Sequence, residues 1–133
     1  RARAAAAVPT DPAQMTPEQR DQRARVLARE ADPLIEADIP RAKALLDEAY
    51  ALAPRNPHVL AGLAELSLQR GRPTEAVTYA EQAVRVRRRR WTYRMILGDA
   101  RRAAGDAAGA REAYEQGLEL SPDNPRLLRR LQR

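Results

Sequence analysis

The sequence predicts an all-α fold: an α-solenoid of about three helix-turn-helix units, closed by a short C-terminal capping helix. Three observations carry that prediction. Shifted by 34 positions, the later part of the chain falls on itself, so that Leu63 meets Leu97, Gly71 meets Gly105, Ala76 meets Ala110 and Val84 meets Leu118. One period earlier, Ala76 meets Ala42, Ala83 meets Ala49 and Val86 meets Leu52, while Asn56-Pro57 returns two periods later as Asn124-Pro125. A fixed period of this length marks a stack of supersecondary units. Each period also holds two apolar runs at helical spacing, and no segment alternates with the period of two that a strand needs.

Taken in order, residues 1–15 are rich in Ala, Pro and Arg, show no period, and are expected to form a flexible linker. Thr16-Pro17-Glu18-Gln19 then spells a capping box with proline at the first helical position. Pro33 interrupts that first helix, removing a backbone hydrogen bond and crowding the preceding turn at a cost of about 3 kcal/mol, so a kink or break is expected at Asp32-Pro33. The first unit has Ala37 where the others carry a turn glycine.

In the middle unit, Asn56 caps a helix that starts at Pro57 and runs through Leu60, Leu63 and Leu66 to Leu68. Gly71 ends it, because glycine takes the left-handed closing conformation without strain. Arg72-Pro73 restarts the chain, and Ala76, Val77, Ala80, Ala83 and Val84 form the next stripe. The third unit repeats the plan with Met95, Ile96, Leu97 and Ala100, a stop at Gly105, Asp106 as cap, then Ala110, Ala113, Tyr114 and Leu118. The stretch 125–133 reads as a cap that turns Leu128 and Leu131 inward and its arginines outward.

Composition narrows the function. The chain has no Cys, which excludes disulfides, thiolate nucleophiles and cysteine-bound metals. No run of 18 apolar residues exists, so no membrane-spanning helix is expected, and the Ala4–Val8 stretch is too short for the apolar core of a signal peptide. These two features favour a cytoplasmic setting and leave a periplasmic one open. The chain opens on Arg1, as a fragment or processed chain would. The net charge of +6 is uneven: residues 1–56 carry nine basic and nine acidic side chains, 57–124 carry eleven and nine, and 125–133 add four arginines and no acid. The positive field therefore belongs to the second half and the tail.

The spacing, the helix pairs and the small residues together resemble the tetratricopeptide repeat. The Leu-Gly pair of that family's first helix stands here as Leu97-Gly98 and, weakened, as Leu63-Ala64; its turn glycine is Gly71 or Gly105. The small residue early in its second helix is Ala42, Ala76 or Ala110, the later one Ala49, Ala83 or Gly117, and the closing proline is Pro54 or Pro122. The family's aromatic pair is missing, replaced by Leu60 and Ser67 in unit two and by Arg94 and Arg101 in unit three. The family register places units at 23–56, 57–90 and 91–124. With the early start of the first helix, the repeat domain spans 16–133, with repeats at about 16–56, 57–90 and 91–124 and a cap at 125–133.

The resemblance implies a non-catalytic protein–protein interaction module, a scaffold or adaptor whose concave groove takes a peptide or helix of a partner. It implies a groove lined by Leu27, Leu34, Ile35, His58, Ala61, Glu65, Leu68, Met95, Asp99 and Arg102. Such arrays are often appended to bacterial kinases, secretion parts or envelope assemblies. Members that grip a chaperone tail by its free carboxylate use Lys, Asn and Arg at groove positions that read Ala61, Gly62 and Glu65 here, and Met95, Ile96 and Asp99 in the next unit. That chemistry is absent.

The remaining candidates for chemistry have plainer readings. His58 is the sole histidine and, without Cys, a metal site would rest on carboxylates alone, so a surface role is expected. Asp47-Glu48 and Glu112/Glu115 lie among arginines as helix-surface ion pairs. No phosphate loop or nucleophile motif occurs, and no cofactor is expected. Arg85, Arg87, Arg88, Arg89, Arg90 and Arg94 cluster where two units join; cations there offset a helix dipole by about 0.3–1 kcal/mol. Four consecutive arginines exceed that need, and Arg88 stands where the turn proline belongs. The alternatives to groove binding are therefore an arginine ridge for an acidic partner, nucleic acid or an anionic membrane, and self-association of the chain. Trp91 is expected to pack between units, with stacking under an arginine as the alternative.

Overall fold

The computed structural model of the chain describes residues 7–132, so the first six residues of the expected linker, and Arg133 of the expected cap, lie outside the described residues. Among the described residues all regular structure is helical: α1 (Pro17–Ala31), α2 (Leu34–Ala37), α3 (Ile39–Leu52), α4 (Pro57–Gln69), α5 (Pro73–Val86), α6 (Trp91–Ala103), α7 (Ala107–Leu120) and α8 (Pro125–Leu131). Ahead of α1, a 3-10 turn at Pro12–Gln14 is capped by Asp11, and Arg20 Nε donates to the Pro12 carbonyl at 3.0 Å.

The helix boundaries follow from local chemistry. At α1 the Thr16 hydroxyl accepts from Gln19 N while Gln19 Oε1 accepts from Thr16 N, which closes the capping box. The helix stops at Ala31 because Pro33 has no amide to continue the ladder, and the chain re-enters a single helical turn, α2, before Asp38 caps α3 through Arg41 N. The expected break at Asp32-Pro33 is therefore present. Asn56 accepts from both His58 N and Val59 N at the start of α4, and Asn124 does the same for Arg126 N and Leu127 N at α8. Gly71 and Gly105 adopt φ of +68° and +88°. There Arg72 N reaches the Ser67 carbonyl and Asp106 N the Arg101 carbonyl, each at 2.8 Å, which satisfies carbonyls the helix ends leave open.

Three hairpins result: α1 against α3, α4 against α5, α6 against α7, each packed on the next through α3–α4 and α5–α6, with α8 laid on α7. The small residues at equivalent repeat positions (Ala42, Ala76, Ala110; Ala49, Ala83, Gly117) are all buried and let the paired helices approach. The core is divided to match. One cluster joins units one and two around Leu27, Leu46 and Val59; a second joins units two and three around Leu60, Ile96 and Leu97; a third holds Tyr114 and Leu127 under α8. Trp91 is half-buried against this third cluster, as expected of a packing residue.

The cap departs from expectation in one respect. Leu127, not Leu128, is the fully buried leucine of α8; Leu128 is 39% exposed and Leu131 is half-buried. Leu128 stands two periods after Leu60, which is buried because α6 covers it. Among the described residues no helix follows α8 to cover Leu128 in the same way, so the equivalent position faces out.

Candidate partner groove and basic ridge

The short α2 lies beside α4 and α4 beside α6, and residues of α8 line the far end of the row. Between them runs an open groove of about 690 Å³. Of the residues the sequence assigns to it, Ile35, His58, Ala61, Glu65, Leu68, Met95 and Asp99 line it. Three do not. Leu27 is 1% exposed inside the first core cluster and so is closed off from the groove. Leu34 packs on the same cluster. Arg102 is held outside the groove, its guanidinium 4.8 Å from the Tyr114 ring centroid and its Nη2 donating to the Arg130 carbonyl at 2.6 Å. Leu34, Leu68 and Arg102 share one repeat position, which thus faces the groove only in the middle unit.

The groove also contains residues that sequence reasoning missed: Asp32 and Glu36 at one end, Arg90 and Tyr93 on the α6 side, Arg126 and Arg130 from α8. Extending the register by one more period would have found the last two, since Arg126 repeats His58 and Arg130 repeats Gly62. Asp32 owes its place to the Pro33 break, which ends α1 just before it.

Charge in the groove is divided into committed and free groups. Asp99 accepts from Arg130 twice, Nε at 2.6 Å and Nη2 at 3.0 Å, and from the Tyr114 hydroxyl at 2.6 Å. Burial, then the hydrogen bond to Asp99, push the Tyr114 phenol far up, so it stays a donor. His58 Nε2 lies 3.2 Å from Asp32 Oδ2, with its side chain 36% exposed. The single histidine thus touches Asp32 at the groove wall. Glu65 is different. Its carboxyl is raised above the usual range, first by desolvation within the concavity and then by the Asp32 charge, and the opposing pull of Arg126 and His58 does not cancel this. Among the described residues, no three His, Cys, Asp or Glu side chains gather as a metal site.

The basic ridge forms the turn between α5 and α6. Arg85, Arg87, Arg88, Arg89 and Arg90 are exposed, and no salt bridge among the described residues ties any of them. Arg94 does not belong with them: it is half-buried, with Nη1 donating to Gln116 and Nη2 to the Arg88 carbonyl, and its Nε is buried without a partner. It occupies the place of a repeat aromatic, wedged between α6 and α7. Arg90 turns toward the groove and lies 5.7 Å from the Tyr93 ring centroid, while Arg126 lies 5.9 Å from that of Trp91.

Two family models described as tetratricopeptide repeat match the sequence, one over residues 34–92 and the other over 68–125. No curated protein matches it. Among solved structures, the Sgt2 TPR domain of Aspergillus fumigatus is 29% identical with a TM-score of 0.75, covering 88% of this chain and 76% of that one. The first TPR domain of human RPAP3 is 22% identical with a TM-score of 0.78, covering 84% and 89%. The second TPR domain of human RPAP3, solved in complex with the HSP70 peptide SGPTIEEVD, is 20% identical with a TM-score of 0.75, covering 88% and 96%. At such identities the two human domains bear on the fold alone.

Proposed function

The chain belongs to the tetratricopeptide-repeat family, and from that premise we propose that it is a protein-docking module receiving a peptide or helix of a partner in the groove across α2, α4, α6 and α8. The observation that carries this reading is the groove itself. It is continuous over successive units and mixes apolar surface from Ile35, Ala61, Leu68 and Met95 with polar groups, of which Glu65 has no ion-pair partner among the described residues. Such a lining suits an extended or amphipathic segment. That the second TPR domain of human RPAP3, of the same fold, was solved with the HSP70 peptide SGPTIEEVD is in keeping with a peptide as the partner. The lining of this groove does not support that ligand, because Ala61, Gly62, Glu65 and Met95 stand where the tail's carboxylate would need donors.

A random nonapeptide library displayed on phage tests the reading. Enriched peptides should lose binding to Thr92→Trp and Gln69→Trp variants, which fill the groove from α6 and α4, and should keep it for Arg102→Ala, which lies outside. Circular dichroism confirms that each variant stays helical. Peptides that bind the filled variants as well as the parent would refute groove docking.

The ridge supports a second reading, because five exposed arginines in six residues carry no acidic partner among the described residues. That ridge is an electrostatic site for a polyanion such as a nucleic acid backbone. Retention on DNA should then fall steeply with salt, with a slope of about 0.9 per phosphate neutralised. Arg87→Gln with Arg89→Gln should lower that slope by about two. No retention at low salt would end this reading.

A further inference from the structure

We propose that the segment the groove receives is oppositely charged at its two ends and lies in one direction only. Its acidic end rests over Arg90 and Arg126 and its basic end over Asp32 and Glu36, an inference that rests on the docking reading above. These four side chains all line the groove, all are exposed, and they divide by position. Asp32 closes α1 and Glu36 lies on α2, one on each side of the Pro33 break. Arg90 enters α6, and Arg126 stands in the first turn of α8. The other charged groups of the lining leave this division intact. Asp99 and Arg130 hold each other through two hydrogen bonds and so cancel. Glu65 and His58 sit on α4, between the two ends.

Both ends keep groups with which to bind. Arg90 lies 5.7 Å from the Tyr93 ring centroid and Arg126 5.9 Å from that of Trp91, and neither forms a salt bridge among the described residues. A guanidinium laid over a ring keeps its donors at its planar edge, where a carboxylate can take two of them. At the other end, Glu36 has no side-chain partner among the described residues, and Asp32 commits only Oδ2, to His58 at 3.2 Å. A helix with its side chains is about 10–12 Å across, and α4 stands between α2 and α6. The Debye length at physiological ionic strength is about 8 Å, so the exposed charges of the two ends act on a guest separately instead of cancelling. Net charge points elsewhere. At +6 the chain favours a segment that is acidic throughout, and the ridge would hold it without regard to direction. A directional preference therefore has to come from the groove.

Two phage-displayed nonapeptide libraries test this. One begins with Lys-Lys, continues through five random residues and ends with Glu-Glu; the other has the charged pairs exchanged. Selected on the whole chain, with the Thr92→Trp variant as counter-selection, one library should yield binders and the other few. A synthetic, fluorescein-labelled copy of the best binder should bind about tenfold more weakly to the Arg90→Glu, Arg126→Glu variant, since each exposed ion pair lost is worth up to about fivefold. Adding Glu36→Arg to that variant exchanges the two ends of the groove and should move the preference to the other library, with helicity checked by circular dichroism. Equal yields from the two libraries, an unmoved preference in the exchanged chain, or an all-acidic copy of the peptide that binds as tightly would overturn the directional inference while leaving the groove intact. Binders that Thr92→Trp retains as well as the parent does would overturn the docking reading and this inference with it.

Discussion

Units two and three share a backbone plan and use the same positions for different ends. Glu65 and Asp99 stand one period apart, yet Glu65 is free in the groove while Asp99 is clasped by Tyr114 and Arg130. Ala64 faces its hairpin partner across a cluster shared with Ala80, whereas at the equivalent pair Gly98 makes room for the fully buried Tyr114 ring. Asn56-Pro57 caps unit two, and Arg90-Trp91 enters unit three with no side-chain cap. The repeat fixes where helices run; the side chains at matching positions decide whether a unit offers a surface or holds its neighbour. Unit three is built to anchor α8, and unit two keeps the middle of the groove open.

The sharpest test of that division is the pair Gly98 and Tyr114. A Cβ on Gly98 would lie within 2.8 Å of three Tyr114 ring atoms, so Gly98→Ala should cost about 1–3 kcal/mol by overpacking. Tyr114→Ala should cost about 3–5 kcal/mol, by analogy with other buried aromatics. The double variant restores the Ala–Ala pairing of unit two and should be no less stable than Tyr114→Ala alone. Urea denaturation of the four proteins completes the cycle. Additive losses would show that Gly98 is not there to admit the ring.

The two equivalent carboxylates should respond with opposite sign. Asp99→Asn loses charge-assisted bonds from Arg130 and should destabilise by about 1–3 kcal/mol. Glu65→Gln should stabilise. A carboxyl whose pKa is higher folded than unfolded binds more protons in the native state, so its contribution to stability falls as pH rises from the ordinary carboxylate range through the raised value. The gain from Glu65→Gln should therefore appear above that window and vanish in acid. Thermal melts across pH would register it. A loss at neutral pH would mean that Glu65 already has a partner, and the unit-two groove would no longer contrast with unit three.

Much of this was legible in the sequence, and the physical reason is periodicity. Caps at Thr16, Asn56 and Asp106, stops at Gly71 and Gly105, and the break at Pro33 are local signals that need no tertiary context. Groove positions in the middle of the stack were equally readable, because Ala61, Glu65 and Leu68 have neighbours on both sides. Reasoning by register failed toward the ends. Leu27 and Leu34 pack into or against the first core cluster, Arg102 is drawn off by Tyr114, and among the described residues no helix covers Leu128. Arg94 looked like part of a charged run and is half-buried, since its register position points between α6 and α7. Which charges pair across the groove depends on distances that no one-dimensional pattern encodes.

The smallest expected effect concerns the two unit entries. Asn56 satisfies two amides of α4 and its own amide donates to Asp21 at 2.7 Å, so Asn56→Ala should cost about 1–2 kcal/mol. The entry to α6 should behave in the reverse sense. Arg90→Asn introduces a capping oxygen where none exists and forfeits a contact over Tyr93 worth about 0.5 kcal/mol at an exposed site. The net should be a gain of a few tenths of a kcal/mol, near the limit of urea titration, so hydrogen exchange at the Thr92 amide gives the better reading, since the Tyr93 amide already donates to the Arg90 carbonyl. If that amide becomes no better protected, α6 is already satisfied as it stands. The arginine would then carry no penalty at this turn, and the ridge would lose the argument that its charge is kept against local stability.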